Sequence, residues 1–216
     1  MTRSLLCAGV LALALASCQS NPEEEKTLPI LGPREPQVTM ANGQPKVDTL
    51  YHSIPDFGFL DQDSQMVTQQ TVAGKIYVAD FFFTSCPSIC PKMKSQMLRV
   101  YEKYKDNPGV VLLSHSIDPT HDTVAVLREY AGRLGVKSAK WHFLTGDKDT
   151  ILGMAQNHYM TSALEDKEAP GGFAHSGAFL LVDQNRHIRG HYDGTVAEDV
   201  DRLMKDMDLL LAEKKK

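Results

Sequence analysis

The most informative part of the sequence is residues 81–91, FFFTSCPSICP. An apolar, aromatic run leads directly into a turn that holds two cysteines, Cys86 and Cys90, each followed by proline. Proline suits the first position of a helix because its missing N–H would have no partner there, so we predict a helix that begins near Pro91. Cys90 then lies at the helix N-terminus, where partial positive charge favours thiolate over thiol. Two such sulfurs can form a disulfide or bind a soft metal ion.

Strands and helices alternate on both sides of this stretch. Residues 75–83 are apolar nearly throughout, which is typical of a buried central strand, and residues 91–104 show helical spacing of apolar side chains. The chain ends in the order strand, turn, strand, helix. This pattern predicts an α/β protein with a thioredoxin-like fold, in which a central mixed sheet is flanked by helices. The other predicted elements are strands at 67–72, 110–117, 141–144, 173–182 and 187–192 and helices at 122–134, 147–156 and 196–211.

The N-terminus has the pattern of an export signal. Arg3 supplies a short positive region, and residues 5–16 are apolar but too few to span a bilayer. They end in LASC at residues 15–18, which resembles a bacterial lipoprotein signal, with an ordinary secretory signal as the alternative. We therefore expect residues 1–18 to be a signal peptide and acylated Cys18 to anchor the domain in the bacterial cell envelope, facing the periplasm.

Length and charge set limits on the mature protein. Residues 19–45 are polar and proline-rich, which predicts a flexible tether, and residues 46–213 form one domain of ordinary size. A domain of this length can bury a core without disulfide staples. The net charge is −4 and no basic stripe is present, so we expect no nucleic-acid partner.

The cysteines leave few roles open. The chain has 4 cysteines. Cys7 would leave with the signal peptide and Cys18 would be acylated, so only Cys86 and Cys90 remain as free thiols. A framework of structural disulfides is thereby excluded, and the pair must act with each other or with a ligand.

Further motifs downstream support a family resemblance. They are SIDP at 116–119, DT at 122–123, WHFLTG at 141–146, and His175 ahead of FLLVD at 179–183. Together with the CPSICP run, they resemble the Sco/SenC family of copper chaperones over about residues 50–212. His121 departs from the family, which commonly has arginine at this place.

The resemblance implies a function for the two cysteines. It implies a membrane-tethered protein that binds one copper ion per chain, Cu(I) or Cu(II), through Cys86, Cys90 and His175. It also implies assembly of the copper centre of cytochrome c oxidase subunit II, with other periplasmic copper chaperones or thiol reductants as further partners. Copper(I) prefers thiolates and copper(II) tolerates imidazole with thiolate. Because the thiols must lose their protons to bind metal, copper affinity should fall in acid.

Two enzymatic functions compete with this interpretation. In a thiol–disulfide oxidoreductase, Cys86 and Cys90 would be the catalytic pair and would form a reversible disulfide. A peroxiredoxin-like peroxidase is disfavoured, because Thr84 stands only two residues before Cys86 whereas peroxidases usually show Thr-x-x-Cys. A pure reductase has no use for His175, but a copper site does. The roles can coexist, since a disulfide would abolish copper binding and let redox state control metal loading.

Other candidate ligands have simpler interpretations. Met93 and Met97 lie one helical turn apart and are typical of a core stripe. His187 and His191 alternate with apolar residues on a late strand, and we expect them to be exposed. Asp122 or Thr123 is expected to cap the helix that follows.

Overall fold

The computed structural model describes residues 27–213. The expected signal peptide, the acylation site Cys18 and the first part of the expected tether lie outside the described residues. Within residues 27–213, no helix is both long enough and apolar enough to cross a membrane.

Strands and helices alternate through most of the described chain, as predicted. The strands are β1 (Arg34–Ala41), β2 (Gln44–Tyr51), β3 (Gly58–Leu60), β4 (Met66–Thr68), β5 (Ile76–Phe82), β6 (Val110–Ser116), β7 (Trp141–Leu144), β8 (Ala163–Glu165), β9 (Phe173–His175), β10 (Ala178–Val182) and β11 (Ile188–Asp193). The helices are α1 (Gln69–Val72), α2 (Cys90–Tyr104), α3 (Val124–Leu134), α4 (Lys148–Gly153) and α5 (Ala197–Glu213).

The core is built on a five-stranded mixed sheet in the order β11-β10-β5-β6-β7. Strands β5, β6 and β7 run parallel, while β10 is antiparallel to both β5 and β11. Every residue of β5 and β6 is buried, which explains their largely apolar sequence. Helices α2 and α5 pack against each other and α3 packs against β7. The α/β class and the central mixed sheet flanked by helices are confirmed.

The connection from β5 to α2 carries both cysteines. Helix α2 begins at Cys90, with proline in its first turn, one residue before the predicted start. Met93 and Met97 point into the core and are fully buried, as predicted. Parallel strands β5 and β6 end at the same edge of the sheet, so the cysteines lie beside the end of β6.

The predicted single strand over residues 173–182 is wrong. The chain forms β9, breaks at Ser176 and Gly177, and then forms β10. β9 pairs only with β8, in a separate two-stranded sheet, whereas β10 lies in the central sheet. The apolar residues of this run serve two different sheets, which is why the sequence reads as one strand. His175 therefore lies at the end of a small sheet beside the core.

Part of the expected tether is also ordered, so that prediction is wrong for residues 34–45. Strands β1 and β2 form a regular antiparallel hairpin over residues 34–51. Asn42 and Gly43 at its tip have φ of 53° and 76°, as a two-residue type I′ turn requires. The Asn-Gly pair between two alternating runs was a signal for this hairpin that the proline content obscured.

Residues just before the hairpin are held against the edge strand β11. Arg189 donates to the carbonyl of Leu28 at 2.6 Å, and the backbone N–H of Leu31 donates to the carbonyl of Ile188 at 2.8 Å. Both leucines are partly buried against the core. Residues 28–31, which form neither strand nor helix, are thus fixed to the domain.

Two short elements differ from their predicted form. Residues 67–72 are divided between β4 and α1, with Thr68 as the N-cap of the helix. The predicted helix over 147–156 is α4, capped by Asp147, followed by a π-helical turn at Met154–His158.

Candidate metal centre

The structure brings together the three side chains that the sequence singles out. The Sγ atoms of Cys86 and Cys90 and a ring nitrogen of His175 all lie within 4.8 Å of one another. The Nε2 atom of His175 is 3.2 Å from Cys90 Sγ and 3.9 Å from Cys86 Sγ. Both cysteines are free and buried, at 8% and 3% exposure. Two sulfur donors and one nitrogen donor thus converge at one point.

Asp122 fixes the chain just before the first cysteine. Its fully buried carboxylate accepts hydrogen bonds from the backbone N–H of Thr84 at 2.9 Å and from the Thr84 hydroxyl. It also accepts from the hydroxyl of Ser116 at 2.6 Å, at the end of β6. Of the two predicted caps of α3, Thr123 is the cap, and Asp122 instead joins the cysteine loop to the sheet.

Phe83 connects the cysteine loop with the histidine. Its carbonyl accepts a hydrogen bond from the N–H of Cys86 at 3.3 Å. Its buried ring contacts the ring of His175, with centroids 5.8 Å apart and the planes at 75°, and the ring of Phe173 at 5.3 Å. Gly171 also lies close to the Phe83 ring, because a Cβ added at Gly171 would lie 2.7 Å from it. One aromatic side chain therefore sets the separation of the two halves of the centre.

The orientation of the histidine ring follows from its backbone contact. The Nδ1 atom of His175 lies 3.1 Å from the carbonyl of Ser176. A carbonyl only accepts, so Nδ1 carries a proton and the Nε2 atom is the ring nitrogen that faces the sulfurs. An outer hydrogen bond of this kind fixes the tautomer of a metal-binding histidine.

The two thiols differ in acidity. Burial opposes ionisation of Cys86, but hydrogen bonds involving Ser88, Cys90 and His175 outweigh it and lower its pKa from 9.0 to about 6. Burial and the hydrogen bond with Cys86 raise the pKa of Cys90 well above its usual range. At neutral pH the pair is therefore a thiolate at Cys86 that accepts the hydrogen bond of the Cys90 thiol.

A buried ion pair lies one helical turn beyond Cys90. Lys94 donates to Asp80 at 2.7 Å and to Ser114 at 3.1 Å, and both charged side chains are almost fully buried. The lysine charge is among the influences that favour ionisation of Cys90. A paired charge of this kind can stay buried because its partner and hydrogen bonds compensate for lost hydration.

Other sequence candidates lie outside the centre. Met93 and Met97 face the core. His191 is exposed, as predicted, but the same prediction for His187 is wrong, because that side chain is half-buried with Nδ1 3.7 Å from the Asp183 carboxylate. His121, where the family commonly has arginine, is an exposed neighbour of Asp122, with Nδ1 2.9 Å from its carboxylate.

Sequence reasoning missed the supporting residues. Nothing in the spacing of Phe83 and Gly171 predicts their contact, because they are far apart in sequence and meet only when β9 packs beside the cysteine loop. For Asp122 the signal was local. The Asp-Thr motif at 122–123 also fits a helix cap, and this interpretation left the hydrogen bonds between Asp122 and Thr84 unpredicted.

Comparison with known proteins identifies the family. Residues 46–211 match the SCO1/SenC family, which covers more than half of the chain. The chain therefore belongs to the SCO1/SenC family.

Solved structures of similar proteins have the same fold. A SCO1/SenC family lipoprotein from Bacillus anthracis superposes with a TM-score of 0.68 at 26% identity, over 74% of this chain and 95% of that one. BsSco, a member of the Sco family of cytochrome c oxidase assembly proteins, gives 0.65 at 27% identity, over 74% and 93%. Arabidopsis thaliana ScoI with copper bound gives 0.60 at 25% identity, over 73% and 98%. The thioredoxin-like fold is thereby confirmed.

Proposed function

We propose that this SCO1/SenC protein is a copper metallochaperone that binds one copper ion through Cys86, Cys90 and His175. The observation that carries the proposal is the convergence of two sulfurs and an imidazole nitrogen within 4.8 Å. This donor set suits Cu(I), and it also accommodates Cu(II). Copper is cargo here, so a centre with three protein ligands leaves room for an incoming ligand from an acceptor.

The residues around the centre fit metal exchange. Cys86 is already ionised at neutral pH, so it can bind copper without first losing a proton. Cys90 must also release its proton before both sulfurs can bind, and the Nε2 atom of His175, 3.2 Å from Cys90 Sγ, completes the donor set. His175 belongs to a separate small sheet, so its ring can withdraw with less disturbance of the core than either sulfur.

We assign the acceptor and the location by analogy with relatives. BsSco belongs to a family of cytochrome c oxidase assembly proteins, and a structural relative is a lipoprotein. We infer that this chain serves the copper centre of oxidase subunit II, together with other periplasmic copper chaperones or thiol reductants. We infer further that acylated Cys18 anchors it in the bacterial envelope after removal of residues 1–18. The family match over residues 46–211 supports residues 46–213 as the copper-binding domain.

Copper stoichiometry tests the metal site. The reduced full chain should bind one copper per molecule in a Cu(I) titration against a competing chelator. Cys86→Ala should abolish tight binding, because a single thiolate and an imidazole remain. Lys92→Ala, an exposed substitution on the same helix, should bind as the unmodified chain does. Unchanged binding by Cys86→Ala would refute the proposed site.

A second function, thiol–disulfide oxidoreductase, is favoured by the unequal acidity of the two thiols. A reactive thiolate next to a buried thiol is the arrangement by which one sulfur attacks a disulfide and the other resolves it. His175→Ala separates the two functions. It should weaken copper binding and leave disulfide reduction largely intact; loss of reductase activity with copper binding retained would favour the enzyme.

A further inference from the structure

The β1–β2 hairpin has one apolar face and one polar face. Directly opposed residues of an antiparallel pair share a face, and Val38 opposes Val47 while Met40 opposes Pro45. Pro36 lies on the same face. Thr49 lies opposite Pro36 on this face. The other face carries Glu35, Gln37, Thr39, Gln44, Lys46 and Asp48, together with the apolar side chains of Ala41 and Leu50.

Nothing in residues 27–213 covers the apolar face. All eight residues of β1 are exposed, as are all but the last of β2. Val38, Met40 and Val47 are 64%, 71% and 65% exposed. An isolated two-stranded ribbon is marginally stable in water, and an exposed apolar patch on a protein surface usually marks a contact site.

A second copy of the chain is too small a partner for this face. Two strands of eight residues present about 27 Å by 10 Å, or roughly 270 Å² on one copy. Two such faces together would bury about 500 Å², well below the roughly 1,200 Å² of a stable protein interface. Pairing of hairpins alone would therefore not hold a dimer.

The position of the hairpin in the chain favours a membrane surface. Leu28, which is held against β11, lies ten positions after Cys18, and the chain between them spans at most about 36 Å. A domain anchored at Cys18 thus keeps Leu28 within that distance of the bilayer. The hairpin starts only six residues later, at Arg34.

The charges of the apolar face also match a bilayer. Its charged residue is Arg34, whose guanidinium lies 5.4 Å from the ring of Tyr51 on the opposing strand. Arginine and tyrosine at the margin of an apolar surface suit the headgroup region, where the cation meets phosphate and the ring spans both environments. The acidic residues Glu35 and Asp48 lie on the other face.

We propose that the β1–β2 hairpin lies flat on the outer boundary of the lipid bilayer, with Val38, Met40, Pro45 and Val47 toward the acyl chains. The inference rests on the proposed acylation of Cys18. Strand β1 lies within the segment first expected to be a tether and β2 continues into the domain, so the hairpin fixes how the domain stands on the membrane. The free backbone edges of the ribbon remain at headgroup level, where water satisfies them.

Fluorescence in brominated vesicles tests the proposal. Val47→Trp places a reporter on the apolar face, and Lys46→Trp is the matched control, one residue away on the polar face. The acylated full chain is reconstituted in phosphatidylcholine vesicles with or without dibrominated acyl chains, and the signal of the native Trp141, which is fully buried, is subtracted. Val47→Trp should lose most of its added emission to bromine quenching, and Lys46→Trp should keep it. Val38→Trp provides a second reporter on the apolar face should Val47→Trp disturb the hairpin.

Other outcomes overturn the proposal. Equal quenching of both reporters, or none, means that the apolar face does not rest on lipid. Blue-shifted but unquenched emission from Val47→Trp means that protein covers the face. A wild-type chain that fails to float with vesicles has no anchor, which also overturns it. Copper loading of the same samples shows independently whether the proposed metal function stands.

Discussion

Cys86 lies on the connection between β5 and α2, and Cys90 is the first residue of α2, whereas His175 lies on a two-stranded sheet beside the core. The cysteine side is fixed by β5, by α2 and by the buried carboxylate of Asp122. The histidine side is fixed by β8–β9 pairing, by the ring contact with Phe83 and by the carbonyl of Ser176. The difference indicates a centre with a rigid pair of sulfurs and a third ligand that is more easily displaced.

The largest expected effect comes from changing Asp122, whose carboxylate fixes the cysteine loop on the rigid side of the centre. Asp122→Asn places an amide N–H₂ against donors from Thr84 and Ser116, so a buried acceptor is lost where three hydrogen bonds converge. We expect the free energy of unfolding to fall by about 1–3 kcal/mol. Urea denaturation of the metal-free protein measures the change.

The control for this variant is Asp118→Asn. Asp118 lies with Asp122 in the connection between β6 and α3, but it is only partly buried. It should change stability little. If Asp122→Asn were as stable as the unmodified protein, the cysteine loop would not depend on this carboxylate, and the contrast between the two sides would be lost.

A smaller effect is expected from displacing the histidine side. Gly171 and Gly172 both have φ of 85°, so alanine strains the backbone equally at either position. A Cβ on Gly171 also lies 2.7 Å from the Phe83 ring, while none lies within 4 Å at Gly172. We expect Gly171→Ala to weaken copper binding roughly tenfold, about 1.4 kcal/mol, relative to Gly172→Ala.

Competition with a copper chelator measures both glycine variants. Equal affinities would mean that the Phe83 contact does not position His175. Stronger binding by Gly171→Ala would reverse the assignment, since the contact would then hold the ring away from the metal.

The smallest expected effect concerns protonation of the Cys86 thiol, on the rigid side of the centre. The pKa of Cys86 is lowered from 9.0 to about 6, so its alkylation by iodoacetamide should rise with pH through a midpoint near 6. An ionised form favoured in the folded state also makes the reduced, metal-free protein lose stability as pH falls from 9 towards 6. Ser88→Ala removes a hydrogen bond that lowers this pKa, so its midpoint should be higher. A midpoint near 9 in the unmodified protein would contradict the assignment.

The cysteine side of the centre could be predicted from the sequence pattern, and the histidine side could not. The CPSICP run after an aromatic strand indicates the helix start and the pairing of sulfurs, because every step is local. His175 has no local signal, and it was identified through the family resemblance. Its sheet was mispredicted because Phe173 and Phe179 belong to one apolar run that the fold divides at Ser176.

The β1–β2 hairpin is the opposite case, because a local signal for it was present in the sequence but was not used. The prolines of residues 34–45 outweighed the Asn42-Gly43 turn in the interpretation, although an exposed edge ribbon tolerates proline. The proline-rich composition therefore did not predict the regular hairpin that the Asn-Gly turn indicates.

The most direct test of the account is X-ray absorption at the copper edge of the Cu(I)-loaded full chain. The account predicts two sulfur ligands and one imidazole nitrogen, with the nitrogen contribution lost in His175→Ala and the sulfurs retained. A shell without imidazole in the unmodified protein, or one that His175→Ala leaves unchanged, would contradict the three-residue centre.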